Sequence, residues 1–180
     1  DEAIEMYQTM RRYDEAIAVA EQRQHPQAEE MRRNYFDYLL KSAQEEQAAA
    51  LKEREGDYTE AIKLYLKGNL PAKAARVINE HGHTAAHQLE SVASALTEAG
   101  MYDKAGEFFE QMDQMARALD SYTKGHAYRR AVELARRCFP AKVVSLEEQW
   151  GDWLVSQKQV DMAINHYIEA NVQQKAIEAA

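Results

Sequence analysis

Cys138 is the only cysteine in 180 residues. No internal disulfide can form, and the composition suits a reducing compartment. Three prolines and seven glycines are too few to turn many strands. Basic residues are outnumbered, 22 against 30 acidic ones, for a net charge of −8. That balance argues against generic nucleic-acid binding and against attraction to an acidic membrane. Long apolar runs are missing as well. Stretches such as Ala16-Ile17-Ala18-Val19-Ala20 cannot span a bilayer, so direct membrane insertion and a signal peptide are not expected. There is no G-x-G-x-x-G and no phosphate loop.

What is present in quantity is alanine: thirty residues, against 21 valines, isoleucines and threonines together. Alanine loses no rotamer freedom in a helix, whereas β-branched residues do, so the balance predicts helix over sheet. With 46% hydrophobic and 29% charged residues, the chain is expected to fold rather than remain disordered.

The chain repeats itself. Ala-(Ile/Leu)-x-x-Tyr starts at Ala3, Ala61, Ala118 and Ala163, and a further copy runs from Ala105 to Phe109. Thirteen residues after each of the first four alanines comes a second alanine with a small or aliphatic neighbour: Ala16-Ile17, Ala74-Ala75, Ala131-Val132 and Ala176-Ile177. An alanine and a tyrosine four apart lie on one helix face. The alanine lets a neighbouring helix approach, and the ring fills the space beside it. A 13-residue echo holds a helix of about ten residues and a three-residue turn.

Helices are predicted near 2–10, 13–24, 26–41, 43–55, 57–67, 71–80, 84–99, 102–111, 114–124, 126–138, 141–157, 159–170 and 172–180. Pro26, Pro71 and Pro140 are read as first helical residues. Gly56, Gly68, Gly82, Gly100 and Gly125 are read as C-caps that need positive φ. Gly56-Asp57-Tyr58, Gly100-Met101-Tyr102 and Trp150-Gly151-Asp152 match parts of the tetratricopeptide pattern, although the copies start 58, 57 and 45 residues apart rather than 34. The expected fold is all-α: an α-solenoid of degenerate tetratricopeptide-like helix-turn-helix repeats, with residues 1–180 forming one segment.

Several segments resemble the solenoid subunits of intraflagellar transport complex B. They are Asp1 to Tyr7, Tyr58 to Gly68, Leu70 to Arg76, Val132 to Arg136 with Pro140, Trp150-Gly151-Asp152 and Asp161 to Ala170. The resemblance implies a slice of a longer subunit with β-propellers ahead of the solenoid. It implies a non-enzymatic scaffold in the cilium or flagellum and at the basal body, with other transport subunits as partners. The residues alone also allow a vesicle-coat or tethering solenoid, or a peptide-binding co-chaperone module. The last is disfavoured because Asn34, Asn69, Asn79, Asn165 and Asn171 are too scattered to assemble a carboxylate clamp.

Candidate chemistry is sparse. His81, His83 and His87 cluster, but with no cysteine nearby they read as a solvated turn rather than a zinc site. Cys138 follows Arg136-Arg137 and falls on the apolar side of its segment, so it is read as a buried structural thiol. Paired carboxylates such as Glu147-Glu148 read as solvated faces. Trp150 and Trp153 read as packing residues. No catalytic residue, metal ligand or cofactor site is assigned.

The partner-binding residues assigned are Arg129, Arg130, Arg136 and Arg137. They form a basic stripe on the helix near 126–138, opposite Ala131, Val132, Leu134, Ala135 and Cys138. The stripe reverses the sign of the chain locally. It either pairs with carboxylates of adjacent helices or docks an acidic surface of a neighbouring subunit. Finally, the chain starts and stops inside repeat motifs. An internal fragment is therefore expected, with Ile4 or Ile177 partly exposed and prone to end-to-end contacts.

Overall fold

The computed structural model describes Ile4, residues 12–82 and residues 85–179. Among these residues there are eleven α-helices, one short 3-10 turn and no strand. The reading of a helix over 2–10 lies outside the described residues, apart from helical Ile4.

The chain divides into two compact units, the first ending at Gly82. The first holds α1 (Tyr13–Gln22), α2 (Ala28–Lys41), α3 (Glu45–Arg54), α4 (Tyr58–Lys67) and α5 (Pro71–His81). The second holds α6 (Ala86–Glu98), α7 (Tyr102–Gln111), α8 (Met115–Lys124), α9 (Tyr128–Cys138), the 3-10 turn Pro140–Lys142, α10 (Val143–Ser156) and α11 (Val160–Ala179). Inside each unit every helix packs on the next. The motif alanines explain the packing: Ala61, Ala118 and Ala163, with the echoes Ala74 and Ala131, are fully buried. Two motif tyrosines, Tyr65 and Tyr122, are buried beside them, whereas Tyr167 is more than a third exposed.

Among the described residues one turn is used eight times. The residue after the C-cap takes positive φ at Gln24, Ala43, Gly56, Asn69, Gly100, Asp113, His126 and Lys158. Its N–H bonds back three residues and the following N–H bonds back five, as in Asn69 N–H to Leu66 and Leu70 N–H to Tyr65. These are Schellman motifs, which satisfy the last carbonyls of a helix. In seven of the eight the connection is three residues long, the length the 13-residue echo predicts.

Two glycine readings are corrected. Gly68 and Gly125 have φ of −76° and −81°, and the next residue takes the left-handed conformation instead. What these glycines supply is room: a Cβ on Gly125 would lie 2.8 Å from the Cβ of Tyr102, and one on Gly68 would lie 3.2 Å from that of Glu45. Pro71 does open α5, and Pro140 opens the 3-10 turn. Pro26 does not start α2. It occupies the second position of a turn closed by Ala28 N–H to His25 O, a position its fixed φ also suits.

Two further readings are corrected. Residues 159–170 and 172–180, read as two helices, form the single α11, which runs unbroken to Ala179. Cys138 is exposed, because it is the last residue of α9, where the neighbouring helices no longer cover it. Of the two isoleucines, one of which is expected to be partly exposed, Ile4 is 5% exposed and packs with Ala20 and Ala28, and the side chain of Ile177 lies outside the described residues.

Candidate interaction surface

The arginine stripe lies on α9, and its four members all have carboxylate partners. Arg129 reaches Glu133 on its own helix at 3.4 Å. Arg130 bonds Glu107, and Arg137 reaches Glu110 at 3.4 Å, both on α7. Arg136 reaches Glu147 of α10 at 3.3 Å.

Two of these pairs belong to a longer pattern, in which a basic residue bonds an acidic one two helices earlier. In the first unit, Lys73 of α5 bonds Glu46 of α3, and Arg76 grips Glu53 with both nitrogens at 2.8 and 2.9 Å. In the second, Arg117 of α8 meets Glu90 of α6 at 2.6 Å, alongside Arg130–Glu107 and Arg137–Glu110. In these pairs the sequence separation is 23 or 27 residues; Arg54 of α3 also reaches Asp14 of α1 at 3.1 Å, but 40 residues apart, across the longer α2 and the longer connection before it. An acid followed by a base 23 or 27 residues later is the sequence signal for this ladder. The stripe taken alone does not reveal it.

The tyrosine motif enters the same ladder. The hydroxyl of Tyr65 donates to Glu53 at 2.9 Å, and that of Tyr122 donates to Glu110. The Arg76 guanidinium holds the Glu53 carboxyl below its ordinary range, and Arg117 does the same for Glu90. Burial, reinforced by the Glu53 carboxylate, pushes the Tyr65 phenol up to about 12. Burial also raises that of Tyr122, with Glu110 adding to the effect.

Beside Arg136 lies a buried polar group. Glu147 is 2% exposed and lies 2.8 Å from Nδ1 of His166, whose ring stacks on Trp150 at 3.7 Å between centroids. The sequence pattern places Glu147 on a solvated face, and the structure corrects this. Its burial follows from sharing the inner side of α10 with Leu146, Gly151 and Leu154. Trp150 and Trp153 are half-buried and stack on Tyr128 and His126, which agrees with their reading as packing residues.

Of the histidine cluster, His81 ends α5 with its ring stacked 3.7 Å from that of Tyr58, His87 is exposed on α6, and His83 lies outside the described residues. One group of potential metal ligands converges among the described residues: Glu53, Glu80 and His81, whose donor atoms lie within 4.8 Å of one another. Arg76 bonds both of these carboxylates. Its guanidinium already supplies the positive charge that a cation would bring.

Helix pairs joined by a repeated turn and laced by ion pairs define the class: an all-α array of tetratricopeptide-like repeats. No helix among the described residues is long and apolar enough to cross a membrane. No family model matches the chain. Curated relatives do. The whole chain aligns at 50% identity over 184 residues with Intraflagellar transport protein 172 of Chlamydomonas reinhardtii, and at 50% over 182 residues with its Homo sapiens homolog. It aligns at 38% over 182 residues with Intraflagellar transport protein osm-1 of Caenorhabditis elegans. The chain is thus homologous, along its full length, to a segment of intraflagellar transport protein 172. It spans about a tenth of the length of these relatives. Among solved structures, the crystal structure of BtubC (BKLC) from P. vanneervenii is similar over 98% of this chain and 89% of that one, at 17% identity and a TM-score of 0.37. That likeness is too slight to argue from.

Proposed function

We propose that the chain is a non-enzymatic scaffold segment of an intraflagellar transport complex B subunit. In this reading it supports train assembly through protein–protein contacts in the cilium or flagellum and at the basal body, as an internal part of a longer chain. The observation that carries the reading is 50% identity, over the whole chain, to proteins named for intraflagellar transport. The repeat architecture supports it, since arrays of stacked helix pairs expose long surfaces to partners. The partners are other transport subunits rather than nucleic acid or membrane. The test is a replacement. The 184-residue counterpart in the Chlamydomonas protein is exchanged for this chain, in cells lacking the native copy. Restored flagella with the chimera in moving trains are expected. Short flagella, with a folded chimera excluded from trains, would defeat the reading.

Within that function, the outer edge of the Arg129, Arg130, Arg136 and Arg137 stripe docks an acidic face of a neighbouring subunit. Its support is the exposure of these side chains, 84% for Arg129, and the ease with which an exposed pair exchanges its partner. Changing all four to Glu in the chimera tests this. A folded variant that still enters trains at the unmodified level would reduce the stripe to an intramolecular ladder.

A further inference from the structure

The outer side of α11 carries an uncovered apolar stripe. Val160, Ile164 and Ile168 recur every fourth residue on one helix face, each about half exposed. Apolar surface so arranged favours removal from water. The two earlier motif helices show what happens to this face elsewhere in the same chain. Ile62 on α4 and Leu119 on α8 follow their motif alanines as Ile164 follows Ala163, yet they are 2% and 5% exposed against 49% for Ile164.

In both earlier copies the next helix turns back and packs on the motif helix. α5 presents Ala74, Ala75, Val77 and Ile78, and α9 presents Ala131, Val132, Leu134 and Ala135, all of them buried. Counted from Ala163 in the same register, those four positions are Ala176, Ile177, Ala179 and Ala180. The turns that return α5 and α9 are Gly68-Asn69-Leu70 and Gly125-His126-Ala127, with φ of +56° at both Asn69 and His126. The register places Ala170-Asn171-Val172 at the third turn. Asparagine is the residue after glycine best suited to the left-handed conformation, and it is a poor residue for a helix interior. In the straight α11, Asn171 nevertheless sits in the helix interior.

We propose that the α11 stripe is a docking surface for the chain's own segment from Gln173. The segment reaches it when Ala170-Asn171-Val172 closes the turn already formed at 68–70 and 125–127. The straight α11 is the open state, and the hairpin, with the segment laid antiparallel over Ile164, is the closed one.

Two cysteines test this in the 180-residue chain: Ile164→Cys and Ile177→Cys, in a Cys138→Ser background. In a straight helix thirteen residues separate the two Cα atoms by about 20 Å. A disulfide needs them within about 7 Å. Mild oxidation is expected to give a monomer with an internal disulfide, seen as a faster band on a non-reducing gel and located by mass spectrometry. Asn171→Gly is expected to raise its yield, and Asn171→Ala to lower it several-fold. Nitroxide labels on the same pair give a second reading that needs no bond, with the distance falling well below about 20 Å in part of the population. Circular dichroism restricts both readings to helical, folded variants. No internal disulfide together with a single distance near 20 Å would overturn the proposal. So would a disulfide found only between molecules, because the occupant would then be a second copy.

Discussion

Gly106 and Gly151 offer a matched pair of perturbations with opposite expected signs. Each lies inside a helix, α7 or α10, and faces the motif tyrosine sixteen residues later. A Cβ added at Gly106 would stand 2.5, 2.7 and 2.8 Å from three ring atoms of Tyr122. Carbon contacts are comfortable near 3.5–4.0 Å, so the ring must retreat by about 1 Å. It has nowhere to go: Tyr122 is 2% exposed and its hydroxyl is tied to Glu110. Overpacking of this kind costs about 1–3 kcal/mol, against a gain of about 1 kcal/mol from replacing an interior helical glycine by alanine. Gly106→Ala should therefore lose about 1 kcal/mol net. At Gly151 the added Cβ would meet the Tyr167 ring at 2.6, 2.9 and 2.9 Å, almost the same clash. Tyr167 is 37% exposed, and its hydroxyl donates to Asp152 at 2.6 Å in an exposed bond that water can replace, so the ring can shift outward, the helix-propensity gain survives and Gly151→Ala should be neutral or stabilising. Urea unfolding followed by far-ultraviolet circular dichroism measures both. In a Tyr122→Leu background the sign at Gly106 should reverse, since the clash is gone. The reasoning fails if Gly106→Ala proves as stable as Gly151→Ala, or if removing the Tyr122 ring leaves its effect unchanged.

Other consequences follow from the turns and the ladder. Ala43 holds a φ of +52°, so Ala43→Gly should stabilise the fold by about 1 kcal/mol in thermal or urea unfolding. Removing Arg136 strands part of the demand of a buried carboxylate, Glu147, whereas removing Arg129 frees one exposed group. Arg136→Ala should cost about 1–2 kcal/mol more than Arg129→Ala in the same unfolding assay. Glu53 is held below its ordinary value of 4.5, so its contribution is fully present above that pH and is lost as the pH falls through the depressed folded value. Acid unfolding should accordingly be steeper below about pH 4.5 for the native chain than for Glu53→Gln. Cys138, exposed at the end of α9, should react with a thiol reagent in the folded chain as fast as after unfolding.

Helices were legible because alanine and tyrosine at fixed spacing leave a local trace, and the 13-residue echo even set the length of the turns. Solvent exposure was less legible wherever it depended on a neighbour not fixed by the local pattern. Cys138 has an apolar position on the helical wheel but is the last residue of α9, past Ala135, the last residue there that is buried. Glu147 has a charged partner in sequence, Glu148, and reads as surface. Its place beside Leu146 and under His166 is set by how α11 crosses α10. The glycines make the same point at Gly68 and Gly125, which mark close approach between helices, while Asn69 and His126 bear the left-handed conformation.

The ion-pair ladder changes what the arginine stripe signifies. Read on one helix, four arginines against a single glutamate look like a surface awaiting an acidic partner. Read across the array, Arg130 and Arg137 stand 23 and 27 residues after Glu107 and Glu110, as Arg76 stands 23 after Glu53 and Lys73 stands 27 after Glu46. A spacing that recurs in both compact units reflects the repeat itself, because helices two apart lie side by side in a stack of hairpins. Each such pair is exposed on at least one side, so none holds the fold alone. Together they favour one register between helices that touch through small residues. An alanine interface permits close approach but does little to fix sliding, and charges at fixed spacing supply that missing specificity. Salt separates the two roles. If the pairs set register, charge reversal of Glu107 and Arg130 together should restore the stability lost in either single reversal, with a coupling that shrinks as ionic strength rises. Additive losses at low salt would leave the ladder without a structural role.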